Sequence, residues 1–366
     1  MKVGIVGLPN AGKSSLFNAL TRAGAEVANY PFTTIEPNVA VVPVADERLA
    51  QVAAVVRASP VVPDTIQFHD IAGLTGGAHR GEGLGNQFLA HIRETDAILH
   101  VVRAHQDPRV VHPDGRVDPL ADARTVETEL LLADLQQAER RLERVQRTAR
   151  GGQREAVEEE RWLRQLIDAL GAGRPARSVP PLAEAPEALR LLGPLTAKPV
   201  LFVVNVDEAG QDIPPALLEH AAAQGARVVA VAARLESELA ELDPADAEAM
   251  RADLGVPATA LERVIREAFA LLDVVAFFTA DEGRPGQSWH VPRGSTALDA
   301  AGTVHTDMRR GFVRAEVVGW EELVGAGSYA AARDRGTLRV EGRDYVVADG
   351  DVITVRFAPA SGSSSR

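Results

Sequence analysis

Short apolar runs recur along the chain at residues 2–6, 38–44, 65–69, 97–103, 200–204 and 227–232, separated by polar, helical or loop stretches. Runs of this length without polar alternation predict strands buried on both faces. Their spacing predicts a mostly parallel α/β sheet with helices on both sides. In such a sheet a ligand binds outside the carboxyl ends of the strands.

The rhythm breaks between residues 117 and 195. Leu131, Leu135, Ala138, Leu142, Val145 and Ala149 step by alternating fours and threes, the a/d spacing of a coiled-coil helix. Gly151-Gly152 interrupts the stripe, and Val157, Leu163, Leu166 and Leu170 resume it. The pattern predicts an antiparallel helical hairpin inserted between two strands. Its outer faces mix Arg140, Arg141, Arg144, Arg147 and Arg154 with Glu139, Glu143, Glu158, Glu159 and Glu160, which reads first as a solvated surface. A proline-rich stretch at 175–199 leads back to the sheet. From residue 277 onward the pattern predicts short strands, turns and one helix starting near Ser295. It also predicts a hairpin over 338–347 turning at Glu341-Gly342, and a last strand from Val352 to Phe357. The serine-rich end, 361–366, is expected to be disordered.

A chain of 366 residues with 46% hydrophobic content has material for two or three domains with real cores. No apolar run reaches the roughly 18 residues of a membrane span, and the N-terminus enters a strand with no cleavable signal. The absence of cysteine excludes disulfides, thiolate zinc sites and cysteine nucleophiles, and fits a cytoplasmic protein. A net charge of −12 argues against a surface that grips nucleic acid everywhere, while leaving room for a local basic face.

The candidate chemistry sits early in the chain. The strand at 2–6 runs into Gly7-Leu8-Pro9-Asn10-Ala11-Gly12-Lys13-Ser14, which fits the phosphate-loop pattern G-x-x-x-x-G-K-S/T, and an apolar helix follows. Gly7 and Gly12 let the backbone curl so that N–H groups of Asn10, Ala11, Gly12, Lys13, Ser14 and Ser15 face the phosphates. Lys13 reaches the β- and γ-phosphates and the Ser14 hydroxyl takes one Mg²⁺ position. The strand at 65–69 ends in Asp70-Ile71-Ala72-Gly73, a D-x-x-G element in which Asp70 serves the metal and the Gly73 N–H senses the γ-phosphate. These two elements predict a nucleoside triphosphate site with Mg²⁺. Lys13 is one of only three lysines, with Lys2 and Lys198.

Gly4-Ile5-Val6-Gly7-Leu8-Pro9-Asn10, Asn29-Tyr30-Pro31-Phe32-Thr33-Thr34-Ile35-Glu36-Pro37-Asn38, Asp70-Ile71-Ala72-Gly73-Leu74 and Gly81-Glu82-Gly83-Leu84-Gly85-Asn86 resemble the Obg-like ATPase (YchF) family of translation-related nucleotide hydrolases. The likeness extends over nearly the whole chain. It implies a Ras-like P-loop domain (1–116 and 196–276), a coiled-coil insert (117–195) and a ubiquitin-like β-grasp domain of the TGS type (277–360).

Asn205-Val206-Asp207-Glu208 stands where a GTPase carries N-K-x-D. Val206 replaces the lysine whose stem packs on the base. Glu208 replaces the aspartate that accepts two hydrogen bonds from guanine. The resemblance implies ATP preference; the other reading lets Asp207 slide one place and read guanine, giving a GTPase. In the first switch, Thr33 or Thr34 would add a hydroxyl to Mg²⁺, with Thr34 the assigned ligand. Leu74 replaces the water-orienting glutamine of Ras-like enzymes, which implies slow turnover or another catalytic group. The resemblance points to His112 for that role, against an ordinary loop histidine, and to Asn10 as a holder of K⁺ at the phosphates. His105 departs from the aromatic residue more usual in the family.

The implied function is an Mg²⁺-dependent ATP-hydrolysing switch. Its implied partners are the ribosome or another translation-linked assembly, with an RNA contact and no membrane. The competing reading is a nucleotide-gated RNA- or protein-binding scaffold in which hydrolysis is incidental.

Overall fold

The structure, a computed structural model, describes residues 1–25, 38–71, 84–106, 115–208, 212–256 and 260–358. The chain divides into two compact units, one formed by 1–42 and 66–271, the other by 43–65 and 272–366.

The first unit contains a six-stranded sheet. Its strands are β1 (Lys2–Val6), β2 (Val39–Val44), β4 (Asp64–Asp70), β5 (Ala97–Arg103), β6 (Val200–Asn205) and β7 (Arg227–Val231), in the order β2-β4-β1-β5-β6-β7; a short β3 (Val61–Val62) belongs elsewhere. β4, β1, β5, β6 and β7 run parallel. All seven residues of β5 are buried, His100 and Arg103 among them, as a central strand covered on both faces requires. The expected strands are all present, within one residue of their predicted ends.

Among the helices are α1 (Lys13–Ala25), α2 (Glu47–Val56), α3 (Leu84–Arg93), α4 (Pro119–Ala149) and α5 (Arg154–Gly171). Asp118 caps α4 by accepting the Ala121 N–H at 3.0 Å, with Pro119 in the first turn. The N-terminal half of α4 belongs to the core on the sheet: Val126, Leu130 and Ala133 pack with Val6, Ile71, Phe88 and Ile98. Beyond Gly151-Gly152, α5 folds back along α4, and Ala138, Val145 and Ala149 pack with Leu163, Leu166 and Leu170. The expected stripe fails at one position. Val157 is 43% exposed, and the fully buried Trp162 fills that core instead, its indole N–H donating to the Val179 carbonyl at 3.0 Å. The return segment is pinned by Asp134, a fully buried carboxylate that accepts the Leu195 N–H, the Thr196 N–H and the Thr196 hydroxyl at 2.7–2.8 Å.

The second unit holds another six-stranded sheet. β8 (Val274–Thr279), β9 (Gly286–Pro292), β10 (Phe312–Gly319), β11 (Arg339–Glu341) and β12 (Asp351–Phe357) complete the order β11-β10-β12-β8-β9-β3. β8 and β9 form an antiparallel pair, and β12 lies parallel to β8 and antiparallel to β10. Thr296 and Asp299 form a reciprocal capping box at the start of the helix Ala297–Val304.

Three expectations are corrected here. The region after residue 277 was expected to hold one helix, but Thr306–Arg310, Trp320–Ala326 and Tyr329–Asp334 are helical too; Ser328 caps the last through the Ala331 N–H. The hairpin over 338–347 does not form: β11 pairs with β10, and Val346 makes only an isolated bridge to Thr296. Residues 43–65, expected with the P-loop segment 1–116, group with the C-terminal unit. There Leu49, Val52, Ala53 and Val56 of α2 pack against Phe278, Val318 and Leu323, and Arg48 pairs with Asp349 at 2.7 Å. Among the described residues no helix is long and apolar enough to cross a membrane. Residues 361–366 lie outside the described ones.

Candidate functional site

The carboxyl ends of β1 and β6 bring the phosphate loop and Asn205–Glu208 to one cavity, and Asp70, at the end of β4, lies within electrostatic reach of Lys13. β1 delivers the chain into the phosphate loop, where Gly7, Asn10 and Gly12 all have positive φ (155°, 62° and 97°). The two glycines are required by space as well as by torsion. A Cβ on Gly7 would lie 2.4 Å from the Val101 carbonyl oxygen, and one on Gly12 would lie 2.1 Å from Asn205 Nδ2. Lys13 opens α1, so its loop and the unsatisfied first N–H groups of the helix form a ready anion cradle.

Lys13 is buried, and its Nζ donates to the Leu8 carbonyl at 2.8 Å. Burial lowers its pKa from the ordinary lysine value, with the charge of Asp70 pulling the other way. Asp70 ends β4 in register with Ile5 of β1, half-buried. Burial raises its carboxyl pKa and the Lys13 ammonium opposes the rise. The two charges thus face one another across the loop where a triphosphate and its metal would sit. Ser14 is exposed to the site. A serine hydroxyl and a carboxylate are hard oxygen donors, the chemistry that Mg²⁺ selects.

A cavity of ≈ 840 Å³ opens at this place. Asn10, Gly12, Lys13, Ser14 and Ser15 line one side, and Asn205, Val206, Asp207 and Glu208 another. Ala11 acts through its backbone: its carbonyl accepts the Asn205 amide at 3.0 Å, while Asn205 Oδ1 accepts the Ala233 N–H at 3.1 Å. Asn205 therefore ties the phosphate loop to the loop after β7. Val206 is 4% exposed and packs with Val204, Leu217 and Ala232, so it serves the core as well as the cavity wall. Asp207 accepts the Gln106 N–H at 3.1 Å, and Glu208 is exposed at the rim.

Other lining residues went unpredicted. Leu235, Leu254 and Val256 form an apolar wall, and Arg234 pairs with Glu238 at 2.8 Å beside it. The rule that ligands gather at strand carboxyl ends pointed to the loop after β7; no local pattern marked Leu254 or Val256. His105 lines the cavity too. Thr33, Thr34, Gly73, Leu74 and His112 lie outside the described residues.

Comparisons with known proteins find relatives along nearly the whole chain. A family model described as 50S ribosome-binding GTPase matches residues 2–141, and the C-terminal model of the YchF GTPases, described as a protein of unknown function, matches 274–358. The ribosome-binding ATPase YchF of Bacillus subtilis is 44% identical over 363 residues, covering 98% of this chain and 99% of the relative. The protein of the same name from Haemophilus influenzae is 47% identical over 359 residues, covering 97% and 99%. The solved structure of the Schizosaccharomyces pombe YchF GTPase superposes with a TM-score of 0.85 at 32% identity and 97% coverage of both chains.

Proposed function

The chain belongs to the YchF family, with the P-loop GTPase-like α/β fold, and on that premise we propose that it is a cytoplasmic, Mg²⁺-dependent ATPase that works as a ribosome-associated switch. The observation that carries the reading is the one cavity lined on one side by Lys13 and Ser14 and on another by Asn205 and Glu208. Lys13 binds the β- and γ-phosphates and the N-terminus of α1 holds their charge in place. Ser14 and Asp70, with Thr34, would hold Mg²⁺, which when bound neutralises charge on the phosphates. Asn10 would position a K⁺ ion beside them. Gly73 would sense the γ-phosphate and His112 would orient the attacking water, because Leu74 has no polar group to do so.

Base choice follows from the other wall. The carboxylate of Asp207 is already engaged by the Gln106 N–H, which counts against its sliding over to read guanine. Glu208 is one methylene longer than the aspartate that makes the paired guanine contact, and Leu235, Leu254 and Val256 offer an apolar face to a purine. ATP is therefore the preferred substrate.

The strand order β9-β8-β12-β10-β11, with a helix crossing between β9 and β10, supports a β-grasp reading of 277–360 as a TGS-type module. The helical segment 117–195 is read as the family's coiled-coil insert. In this reading both carry the association with the ribosome, which the curated relatives bear in their names.

The test measures ATP and GTP affinity side by side with Mg²⁺ and K⁺, together with turnover of each. Tighter ATP binding with slow, K⁺-stimulated turnover is expected. A GTP preference would reassign the base contact to Asp207.

A further inference from the structure

Leu254 and Val256, on the apolar side of the nucleotide cavity, follow a helix that buries little of its own surface. Along Pro244–Asp253, Ala245, Asp246, Glu248, Ala249 and Met250 are exposed, so apolar packing does not fix where this helix lies. Arg251 ties it inward. Its guanidinium forks onto the Glu236 carboxylate at 2.7 and 3.2 Å, and Glu236 is only 2% exposed. The nearby Arg234–Glu238 pair is open to solvent at both side chains and holds its partners weakly by comparison. Separating the buried pair would strand a carboxylate in the interior, which makes it a fixed point of the fold.

Two sets of contacts run outward from this point. The helix Ala233–Leu239, which carries Glu236, begins at Ala233, whose N–H donates to Asn205 Oδ1 at 3.1 Å. Asn205 in turn donates to the Ala11 carbonyl of the phosphate loop at 3.0 Å. In the other direction, the Arg251 carbonyl accepts the Val256 N–H at 2.9 Å, and the Gly255 N–H donates to the Ala252 carbonyl at 3.2 Å. With Gly255 at a φ of 64°, these two bonds close the helix in a Schellman turn, and its Leu254 and Val256 line the cavity. A continuous set of hydrogen bonds thus joins the phosphate loop to the apolar wall.

We propose that Arg251, held by Glu236, is a positioning residue for the base of the nucleotide. It fixes the apolar wall at a set distance from the phosphate cradle, so that triphosphate and purine are seated together. A wall already in place gives contact without an ordering cost; a wall that drifts loses the base while the cradle keeps the phosphates. The role rests on the reading of the cavity as a nucleoside triphosphate site.

The experiment titrates the full chain with ATP and, separately, with inorganic tripolyphosphate, both with Mg²⁺, and follows steady-state ATP turnover. Arg251→Met keeps an apolar stem and removes the fork. It should bind ATP about tenfold more weakly, hold tripolyphosphate within about twofold of the parent, and raise KM with kcat unchanged. Arg251→Lys, which keeps the charge without the fork, should recover part of the ATP affinity. Because Arg251→Met leaves Glu236 buried and unpaired, Glu236→Gln/Arg251→Met is measured beside it and should show the same split. Arg227→Met removes a guanidinium paired with Glu267 at the amino end of β7 and should behave as the parent. Equal loss of ATP and tripolyphosphate in the double variant, or unchanged ATP affinity there, would overturn the positioning role alone. A parent that binds tripolyphosphate as tightly as ATP would remove the base wall and this role with it. A parent that binds neither would defeat the nucleotide reading itself.

Discussion

The amide of Asn205 occupies the space that a side chain on Gly12 would need, with only 2.1 Å between Asn205 Nδ2 and a Cβ built on Gly12. One residue ends β6 and the other opens the cradle for the phosphates, so base-side and phosphate-side walls are set by a single contact. Gly12→Ala meets both this clash and a φ of 97°, and is expected to lower ATP affinity by about a hundredfold or more. Asn205→Ala frees the space but leaves the Ala233 N–H and Ala11 carbonyl without this partner, a loss on the order of 1–3 kcal/mol. Calorimetric ATP titration of both variants checks the pair.

His100, at the centre of β5, is buried, its ring tilted 33° to that of Phe202 with centroids 5.2 Å apart. Burial, then the charges of His220 and Lys13, push its pKa down to about 3 from 6.5. A depressed histidine folds neutral. Its contribution to stability is complete above pH 6.5 and is lost as pH falls toward 3, at about 1.4 kcal/mol per unit. Denaturant unfolding measured across that window should show His100→Gln losing stability less steeply than the parent. Equal slopes would remove His100 from the acid sensitivity.

Asp134 holds three donors of the return segment while itself buried. Burial raises its pKa despite those hydrogen bonds from Thr196 and Leu195, so the pin is held under electrostatic cost. Asp134→Ala should destabilise the first unit by about 3 kcal/mol or more, because two backbone N–H groups and a hydroxyl lose their acceptor together. Hydrogen exchange at Leu195 and Thr196 should speed up first.

His112→Ala should lower ATP turnover by about a hundredfold while ATP affinity stays within twofold. Steady-state rates alongside equilibrium binding distinguish this from damage to the site. Unchanged turnover would take His112 out of the hydrolysis.

The sheet and the phosphate loop were legible in the amino-acid sequence because their signals are local. Strands buried on both faces must be largely apolar, as at Ala97–Arg103 with only His100 and Arg103 polar, and a phosphate cradle must place glycine at fixed offsets from lysine. Partner choice is not local. α2 reads as an ordinary amphipathic helix, and nothing near Leu49 or Val52 announces that Phe278 and Leu323 will cover them. The turn expected at Glu341-Gly342 falls instead at Arg343-Asp344, after Glu341 has closed β11, and pairing of β11 with β10 depends on a strand far upstream. At the hairpin, spacing favoured Val157, while size and an indole donor gave the position in the core to Trp162. The apolar wall of Leu254 and Val256 joins the site only once the chain has folded.

The grouping of 43–65 with 272–366 has a consequence for how the protein is made. The ribosome releases α2 early, yet Phe278, Leu323 and Val352, which bury its apolar face, emerge only near the end of synthesis. At about 5–20 residues per second, Leu49, Val52 and Val56 wait on the order of tens of seconds for their partners. A nascent chain paused after residue 271 would carry that uncovered helix between the two strands β2 and β4. Its early segment would be complete in sequence but still a client for chaperones.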